Sequence, residues 1–300
     1  MKVLVTGGAG FVGSHIVDLL IEQQHEVSIV DNLTSGKKEN LNPKARFYQV
    51  DIRSHELDQV FEQEKPEIIY HLAAQSVVPP SIKDPLYDES VNVAGTLHIL
   101  DLMKKVGSKK IIYSSSAAIY GNPVSLPINE EHPIQPVSPY GLSKWIAEQY
   151  IMLYHRMYGI DYTILRYANI YGPRQTPEGE GGVVSIFVDK LKKGETLTIN
   201  GDGRHTRDYI YVGDVAKANL AAMTEGSQAI VNISMGKETS LLELIQQLEA
   251  AFEKQVEFVH GPEREGDIVY SCLNPTKAAK ALHWQANTSL AEGLKQTIQG

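Results

Sequence analysis

The chain has 300 residues with ordinary apolar and charged fractions, which predicts a globular protein of one large or two modest domains. Its net charge of −8 argues against nucleic acid or an anionic membrane as a partner, because both bind basic surfaces. The single cysteine, Cys272, excludes an internal disulfide and favours a reducing compartment. With a strand predicted from Lys2 onward and no bilayer-length apolar run, we expect no signal peptide, no membrane span and a cytoplasmic location.

Up to Arg166, short β-branched runs alternate with longer helical patterns. Strands are predicted at residues 2–6, 26–31, 46–51, 68–72, 110–115 and 162–166. Helices are predicted between them at residues 13–23, 57–64, 91–107 and 140–159. This alternation predicts crossover units and a doubly wound parallel sheet, which binds its ligands at the carboxyl ends of the strands.

The rhythm changes after Arg166. Residues 171–182 are rich in Gly and Pro and predict a loop. Helices follow at residues 186–193, 215–224 and 240–252, the last opened by a Thr/Ser cap, with extended segments at 197–200, 209–212 and 229–233. We therefore predict an α/β fold: a Rossmann-type sheet from residues 1–167 plus about 208–236, interleaved with a smaller α/β domain from residues 168–207 plus 237–300.

Three glycines follow the first predicted strand directly: Gly7, Gly10 and Gly13. Between a strand and a helix, such glycines allow a tight turn and close backbone approach to a pyrophosphate, whose charge meets the helix N-terminus. Phe11 and Val12 lie between them and belong to the same predicted site. The spacing differs from the commoner Gly-x-Gly-x-x-Gly, and an ordinary strand–helix turn is the alternative interpretation.

Asp31 closes the second predicted strand. A carboxylate there can accept both ribose hydroxyls of adenosine and repels a 2′-phosphate, so NAD is predicted rather than NADP. The alternative is a solvated turn with Asn32. Further along the predicted cofactor site, Asp51 and Ile52 would flank adenine, unless Asp51 is a helix cap. The fourth strand ends in small and polar residues past which the cofactor backbone would run: Leu72, Ala73, Ala74 and Gln75.

Tyr140 and Lys144 lie on one predicted helix face, four residues apart, and the serines Ser114 to Ser116 precede them in the chain. A tyrosine with a pKa of about 10 is a poor base at neutral pH, but a lysine ammonium and a positive nicotinamide would lower that pKa. Ser116 would hydrogen-bond the substrate oxygen or relay its proton, while Ser114 packs at the strand end beside the cofactor. The alternative is that Tyr140 and Lys144 are two surface residues.

With these residues in place, the chain resembles the extended short-chain dehydrogenases/reductases, and among them the UDP-glucose 4-epimerases. Seven segments carry the resemblance: 6–13, 71–74, 114–121, 140–144, 165–174, 207–212 and 264–267. It implies that Tyr140 is the catalytic acid/base, that Lys144 binds the nicotinamide ribose and tunes Tyr140, and that Ser116 assists. It also implies that Tyr167 lies near the nicotinamide and that Asn92 belongs to the cofactor site.

The same resemblance implies a UDP-sugar substrate. Asn169 would contact its diphosphate, and Arg207 and Arg264 would clamp the two phosphates by bidentate pairing. Surface salt bridges are the alternative role for both arginines. The other residues that we predict to bind the substrate are Val183, Val184, Thr198, Asp267 and Ser271. No metal site is predicted.

The residues after Ser116 bear on the reaction. Related dehydratases and decarboxylases carry acidic residues there, whereas this chain has Ala117 and Ala118, which cannot transfer protons. The resemblance therefore implies 4-epimerisation through a transient 4-keto sugar, with NAD staying bound and being regenerated. A uronate substrate is disfavoured because Thr176 replaces the basic residue of the UDP-glucuronate 4-epimerases, although Arg174 keeps that reaction open.

The identity of the sugar stays open between hexoses and N-acetylhexosamines. The position that walls the sugar pocket in the family is Ser271 here, and a small residue admits a 2-acetamido group. The neighbouring Tyr270 is able to refill that space. Two other functions stay open: a sugar-nucleotide oxidoreductase that releases its cofactor in each turnover, and a non-catalytic NAD-sensing scaffold.

The predicted helices at 91–107 and 140–159 are apolar around much of their circumference. Such helices are covered on more than one side. We therefore predict a two-fold homodimer built from these helices, which the family resemblance also implies. Burial of both helices within a monomer is the alternative.

Overall fold

The computed structural model describes residues 1–177, 182–262 and 268–300. Its strands are β1 Lys2–Thr6, β2 Glu26–Val30, β3 Arg46–Tyr48, β4 Ile68–His71, β5 Lys110–Ser116, β6 Asp161–Tyr167, β7 Asn169–Tyr171, β8 Leu197–Asn200, β9 Thr206–Tyr211, β10 Ala229–Ile233, β11 Glu238–Ser240 and β12 Phe258–Gly261. Its α-helices are α1 Phe11–Glu22, α2 Glu56–Glu64, α3 Val78–Lys83, α4 Pro85–Glu89, α5 Gly95–Val106, α6 Pro139–Tyr158, α7 Val183–Lys193, α8 Val212–Ala221, α9 Leu241–Phe252, α10 Thr276–Leu282 and α11 Leu290–Gln299.

The centre of the molecule is a seven-stranded sheet in the order β10-β6-β5-β4-β1-β2-β3, with every neighbouring pair parallel. Side chains alternate between its two faces, and each face is buried in its own apolar cluster. Val3 and Val5 face the cluster that contains residues of α1 and α8, whereas Leu4 faces the cluster that contains residues of α2, α5 and α6. The predicted doubly wound α/β sheet is thus confirmed.

The strand order reverses at β1. One neighbour, β2, follows it in the chain, and the other, β4, is reached by crossing back over the sheet. A crevice opens at the carboxyl ends of the strands at such a point, because the connections leave in opposite directions. The predicted glycine turn after β1 and the serines that end β5 therefore lie at the same edge of the sheet.

Smaller sheets form beyond this edge: β11-β9-β7 and β12-β8. They share an apolar cluster with α7, α9 and α11 that includes Phe187, Leu197, Leu244 and Leu294. The predicted cap of α9 is present as a capping box between Ser240 and Glu243. The division of the chain into two domains at the boundaries given above stays a prediction.

Several elements differ from the sequence prediction. The helix expected at 91–107 begins with a π-helical stretch, Ser90–Ala94, before α5. The α7 and α8 helices begin at Val183 and Val212, a few residues before the predicted starts. The strands β7, β11 and β12 are too short for a two-residue period to register, and they pair with segments distant in the chain. No helix within residues 1–177, 182–262 and 268–300 is long and apolar enough to cross a lipid bilayer.

Candidate active site

Two adjoining cavities form one cleft at the carboxyl edge of the large sheet. One encloses about 310 Å³ and is lined by Asp31 and Asp51, and the other encloses about 240 Å³ and is lined by Tyr140 and Lys144. The two cavities share five lining residues: Gly7, Gly10, Leu72, Ala74 and Ser76. The cleft therefore runs from the end of β2, across the glycine turn, to the start of α6, which suits an extended dinucleotide.

The glycine turn brings backbone against backbone. Gly7 has a φ of 72°, and a Cβ added there would lie 2.7 Å from the amide nitrogen of Ala73. A Cβ on Gly13 would collide with the carbonyl oxygen of Gly7. α1 begins at Phe11 directly beside both cavities, so its N-terminal N–H groups and dipole favour an anion there. These features fit a bound pyrophosphate.

Asp31 follows β2 directly and lies at the wall of the larger cavity. Its Oδ2 accepts a hydrogen bond from the Ala9 amide at 3.0 Å, and its Oδ1 accepts one from the Leu33 amide at 2.8 Å. Burial raises the pKa of this carboxyl, and the two amides oppose that rise. Each carboxylate oxygen keeps lone pairs for a further donor, so the geometry fits the two hydroxyls of a ribose.

Asn32 and Asp51 form the far wall of the same cavity. The Asn32 amide donates to Asp51 Oδ2 at 2.9 Å, and Arg53 donates to both oxygens of Asp51. The Arg53 hydrogen bonds hold the pKa of Asp51 well below its usual range. Asp51 is thus ionised and fixed in place, with Ile52 beside it on the cavity wall.

Asn92 is a buried residue that supports the wall of the cleft through its hydrogen bonds. It is 2% exposed, and its Oδ1 accepts from the Gln75 amide at 2.9 Å. Its Nδ2 donates to the Gln75 carbonyl at 3.0 Å and to Ser143 Oγ at 3.0 Å. Asn92 therefore ties the segment after β4, which lines the larger cavity, to the helix that carries Tyr140 and Lys144.

Tyr140, Lys144 and Ser116 line the smaller cavity together. α6 starts at Pro139, and Ser138 caps it by accepting from the Gly141 amide. Lys144 is 3% exposed, and its ammonium donates to the Ser114 carbonyl at 2.8 Å. Burial lowers the pKa of Lys144 to about 8, and the nearby carboxylates of Asp88 and Glu148 oppose that shift. Lys144 therefore remains mostly charged at neutral pH and lines the same cavity as Tyr140.

An ion pair that sequence reasoning missed fastens α6 to the sheet. Arg166 on β6 donates to both oxygens of Glu148 at 3.0 and 2.7 Å, and both side chains are buried. Ser115 Oγ also donates to Glu148. The sequence did contain a signal for this ion pair. Glu148 lies one turn after Lys144 on the face of the helix that packs on the sheet, and a buried charge of this kind requires a partner.

Tyr167 and Asn169 also line the smaller cavity. The Tyr167 hydroxyl lies 3.1 Å from Ser114 Oγ and accepts a hydrogen bond from Asn219 Nδ2 at 2.9 Å. Burial raises the pKa of Tyr167 to about 12, so its hydroxyl is neutral. Tyr167 thus lines the same cavity as Tyr140 and Lys144, and its predicted place near the nicotinamide stays a prediction.

The other predicted substrate residues that the structure describes are not among those lining the two cavities. Val184 is buried in the core of the smaller sheets, Val183 is partly buried beside it, and Thr198 is exposed on β8. Arg207 donates from Nη1 to the Thr206 carbonyl, and Ser271 is half-buried. Arg264 and Asp267 lie outside the described residues. The binding roles of these seven residues stay predictions.

On the wall of the smaller cavity, the residues that the prediction did not include are Ser76, Ser115, Ala168, Ile170, Gln175 and Gly182. Gln175 was within reach of sequence reasoning, because it follows Arg174 in a segment already noted for substrate choice. The others have short or apolar side chains that carry no chemical signal. Their position on the wall follows from the crossing of chain segments that are distant in sequence.

The Ser116–Tyr140–Lys144 cluster, set beside a dinucleotide crevice on a doubly wound sheet, is the arrangement of the extended short-chain dehydrogenases/reductases. A family model described as "NAD dependent epimerase/dehydratase family" matches residues 3–234. The chain belongs to this family.

Solved structures similar to this chain include sugar-nucleotide epimerases. A UDP-glucose 4-epimerase from Thermotoga maritima, solved with UDP-glucose, is 46% identical with a TM-score of 0.98, covering 100% of this chain and 98% of that one. A UDP-glucose 4-epimerase from Thermus thermophilus, in complex with NAD, is 39% identical with a TM-score of 0.95 at the same coverage. A UDP-N-acetylglucosamine 4-epimerase from Methanobrevibacter ruminantium is 34% identical with a TM-score of 0.95, covering 99% and 97%.

Proposed function

We propose that this protein interconverts UDP-glucose and UDP-galactose by NAD-dependent inversion at C4 through a transient 4-keto sugar. The observation that carries the proposal is the shared cavity of Ser116, Tyr140 and Lys144, continuous with the cleft that fits a dinucleotide. Ala117 and Ala118 follow Ser116 and have no group able to transfer a proton. The cluster therefore serves proton transfer at one oxygen and lacks the additional acid and base of an elimination.

The cleft fits NAD at each of its parts. The glycine turn and the start of α1 would hold the pyrophosphate, Asp31 the ribose hydroxyls, and Lys144 the ribose at the nicotinamide end. When bound, NAD supplies an acceptor for the C4 hydrogen and returns it to the sugar. We propose that the cofactor stays bound between turnovers.

Tyr140 would take the proton of the 4-hydroxyl during oxidation and return it during reduction. The Lys144 ammonium stabilises the phenolate that this role requires, and its hydrogen bond to the Ser114 carbonyl fixes its position. Ser116 would hydrogen-bond the same substrate oxygen. The alanines beside it leave space for the keto sugar to turn and present its opposite face.

The nucleotide half of the substrate would lie against the smaller sheets. Asn169, Arg207 and Arg264 are proposed to bind the diphosphate, with Val183, Val184, Thr198 and Asp267 around them. The residue at Ser271 is small, and one similar structure is a UDP-N-acetylglucosamine 4-epimerase. We therefore extend the proposal to UDP-GlcNAc and UDP-GalNAc as additional substrates.

The competing uronate reaction depends on Arg174. Its Nη2 pairs with Asp18 Oδ2 at 2.8 Å, and Arg174 is not among the residues that line the cavity with Tyr140. A guanidinium committed in this way is poorly placed for a substrate carboxylate, which supports the neutral sugar. A cofactor-releasing oxidoreductase and an NAD-sensing scaffold are less well supported, since a sensor has no need of the Ser116, Tyr140 and Lys144 set.

The proposed function is tested by NMR of the products formed from UDP-galactose and, separately, from UDP-GalNAc, without added NAD. Inversion of both supports an epimerase with retained cofactor and a roomy sugar pocket. Inversion of UDP-galactose alone supports the mechanism and contradicts the extension to N-acetylhexosamines. Failure with both, even with NAD supplied, contradicts the proposal and favours UDP-glucuronate or another reaction.

We also propose that the protein forms a homodimer through α5 and α6. On α6, Leu142, Leu153 and Met157 are 43%, 36% and 56% exposed, which leaves an apolar stripe facing outward. Pairing of this stripe across a two-fold axis would remove it from water. We further propose a cytoplasmic location, because the single cysteine led us to expect a reducing compartment.

A further inference from the structure

Residues 172–176, here called the strap, leave β7 and pass beside the start of α1. On the inner side of the strap, Gln175 lines the cavity that contains Tyr140 and Lys144. On its outer side, Arg174 and Thr176 lie with Phe11 and Lys37 around a gap of only about 10 Å³. The strap thus reaches from the smaller sheets across the glycine turn to the segment after β2, over the part of the cleft that fits the cofactor pyrophosphate.

Two contacts join the strap to the outer face of α1. Arg174 Nη2 and Asp18 Oδ2 form an ion pair at 2.8 Å, with side-chain exposures of 33% and 28%. His15 Nε2 lies 3.0 Å from the Pro173 carbonyl oxygen and donates to it, because a carbonyl only accepts. Both residues of α1 lie within one turn of each other, so the strap is held at two adjacent points.

The backbone of the strap is strained at the residue that forms the ion pair. Arg174 has a φ of 69°, a left-handed conformation that is uncommon for a residue with a long side chain. Such a conformation persists where surrounding contacts hold it and often marks a functional segment. Here the contacts to α1 supply that constraint.

The next residue turns a polar group toward the cleft. Gln175 donates from Nε2 to the Ile170 carbonyl at 3.1 Å, and its Oε1 is buried without a hydrogen-bond partner among residues 1–177, 182–262 and 268–300. A buried acceptor left in this way favours a donor supplied by a bound molecule. The strap is therefore both a wall of the cleft and a source of one acceptor in it.

We propose that the pairs Asp18–Arg174 and His15–Pro173 form a latch that holds the strap over the NAD site and slows release of the cofactor. The latch residues act through position and do not touch the reacting atoms. The inference rests on the proposed function, in which NAD is retained between turnovers, and it assigns that retention to specific contacts. Opening the latch would free the strap from α1 without altering the glycine turn or Asp31.

The test measures the release of NADH from the purified full-length protein by fluorescence after mixing with excess NAD. Asp18→Asn and Arg174→Gln are each expected to accelerate release about two- to fivefold, the size expected for loss of one partly exposed ion pair. The charge-reversed double variant Asp18→Arg/Arg174→Asp is expected to restore release to within about twofold of wild type. Asp also tolerates a left-handed backbone better than most residues.

A matched control removes an ion pair remote from the cleft. Lys193 and Asp189 on α7 form a pair at 2.7 Å, and Asp189→Asn is expected to leave release at the wild-type rate. Unchanged release in both latch variants would overturn the inference, as would equal acceleration in the control. If wild type inverts UDP-galactose while the latch variants release cofactor normally, the latch fails and the proposed function stands. If the latch variants accelerate release but the wild-type protein has no epimerase activity, the latch stands and the proposed function fails.

Discussion

At the scale of single residues, proton transfer depends on how Lys144 is held. Its ammonium is buried, donates to the Ser114 carbonyl at 2.8 Å, and lies 4.9 Å from the centre of the Tyr113 ring. Burial lowers its pKa to about 8, so Lys144 is still mostly protonated at neutral pH and supplies the ammonium that the proposed phenolate requires. Tyr140 precedes it by one helical turn, and the two side chains line one cavity. The geometry thus concentrates acid–base chemistry at a single point of the cleft.

The first prediction concerns Tyr140→Phe. Removing the phenol oxygen removes the proposed acid/base, so kcat for UDP-galactose inversion is expected to fall about 10²- to 10⁴-fold. NADH binding is expected to stay within about twofold of wild type, because Phe keeps the ring that packs in the cavity. Tyr158→Phe, at the exposed end of the same helix, is the control and should keep wild-type turnover. Turnover by Tyr140→Phe near the wild-type rate would contradict the assignment.

The residues most readily predicted from sequence are those fixed by their immediate neighbours. Gly7, Gly13 and Asp31 follow strands whose ends determine where they lie. The pairs Asn92–Gln75 and Arg174–Asp18 were not predictable in this way, because each joins segments brought together only by the crossing of the sheet connections. The sequence therefore indicated which residues carry the chemistry of the cleft. The contacts that hold the cleft in place depend on tertiary packing.

At the scale of secondary-structure elements, α6 and the ends of β5 and β6 form one unit. Glu148 and Arg166 pair at 2.7 Å with side-chain exposures of 0% and 5%, and Ser115 also bonds to Glu148. A buried ion pair is costly to break, because the remaining charge has no compensation. The pair therefore fixes the helix of Tyr140 and Lys144 against β6, and the Ser115 hydrogen bond fixes it against β5, the strand that ends at Ser116.

The second prediction concerns Glu148→Gln. Loss of the carboxylate leaves Arg166 buried without a counter-charge, so the free energy of unfolding is expected to fall by about 3 kcal/mol. Asp189→Asn, which removes the exposed pair with Lys193, is the control and should cost less than about 0.5 kcal/mol. Urea denaturation measures both. A Glu148→Gln protein as stable as the control variant would show that the pair is not an anchor.

The third prediction concerns Asp208, which joins β9 to two other segments. It is 1% exposed and accepts hydrogen bonds from the Met235, Gly236 and Leu273 amides. Burial raises the pKa of Asp208 to about 6, above its usual value, while the amides oppose that rise. The folded state thus binds more protons than the unfolded state from about pH 4 to 6, and the contribution of Asp208 to stability falls as pH rises through that window.

The stability of wild type relative to Asp208→Asn should therefore be greater at pH 5 than at pH 7, by about 1 kcal/mol. Urea denaturation of both proteins at the two pH values measures the difference, and the subtraction removes titrations that they share. A difference of the opposite sign would mean that the amides outweigh burial and that the pKa of Asp208 lies below its usual value.

At the scale of the whole molecule, the parallel sheet and its crevice followed from the strand–helix alternation up to Arg166. The later part was harder to predict, since β7 and β11, the two strands that flank β9, have only three residues each. Periodicity does not identify such short strands, and their partners are far away in the chain. Most of the proposed substrate-binding residues come from this part, and of those that the structure describes only Asn169 lines the smaller cavity.

The fourth prediction concerns assembly. Leu153→Glu places a charge on the exposed apolar stripe of α6, so the proposed dimer is expected to weaken by at least about tenfold in Kd. Val259→Glu on β12, where the native side chain is 54% exposed, is the control and should leave the oligomeric state unchanged. Sedimentation velocity measures both variants against wild type. A wild-type protein that sediments as a monomer would contradict the dimer.

The central claim is that one site removes hydrogen from C4 of a UDP-hexose and returns it to the opposite face. The most direct measurement uses UDP-galactose deuterated at C4, incubated with the protein in ordinary water without added NAD, and followed by NMR. The account predicts UDP-glucose that keeps its deuterium at C4. Loss of deuterium to solvent, or no inversion at C4, would contradict it.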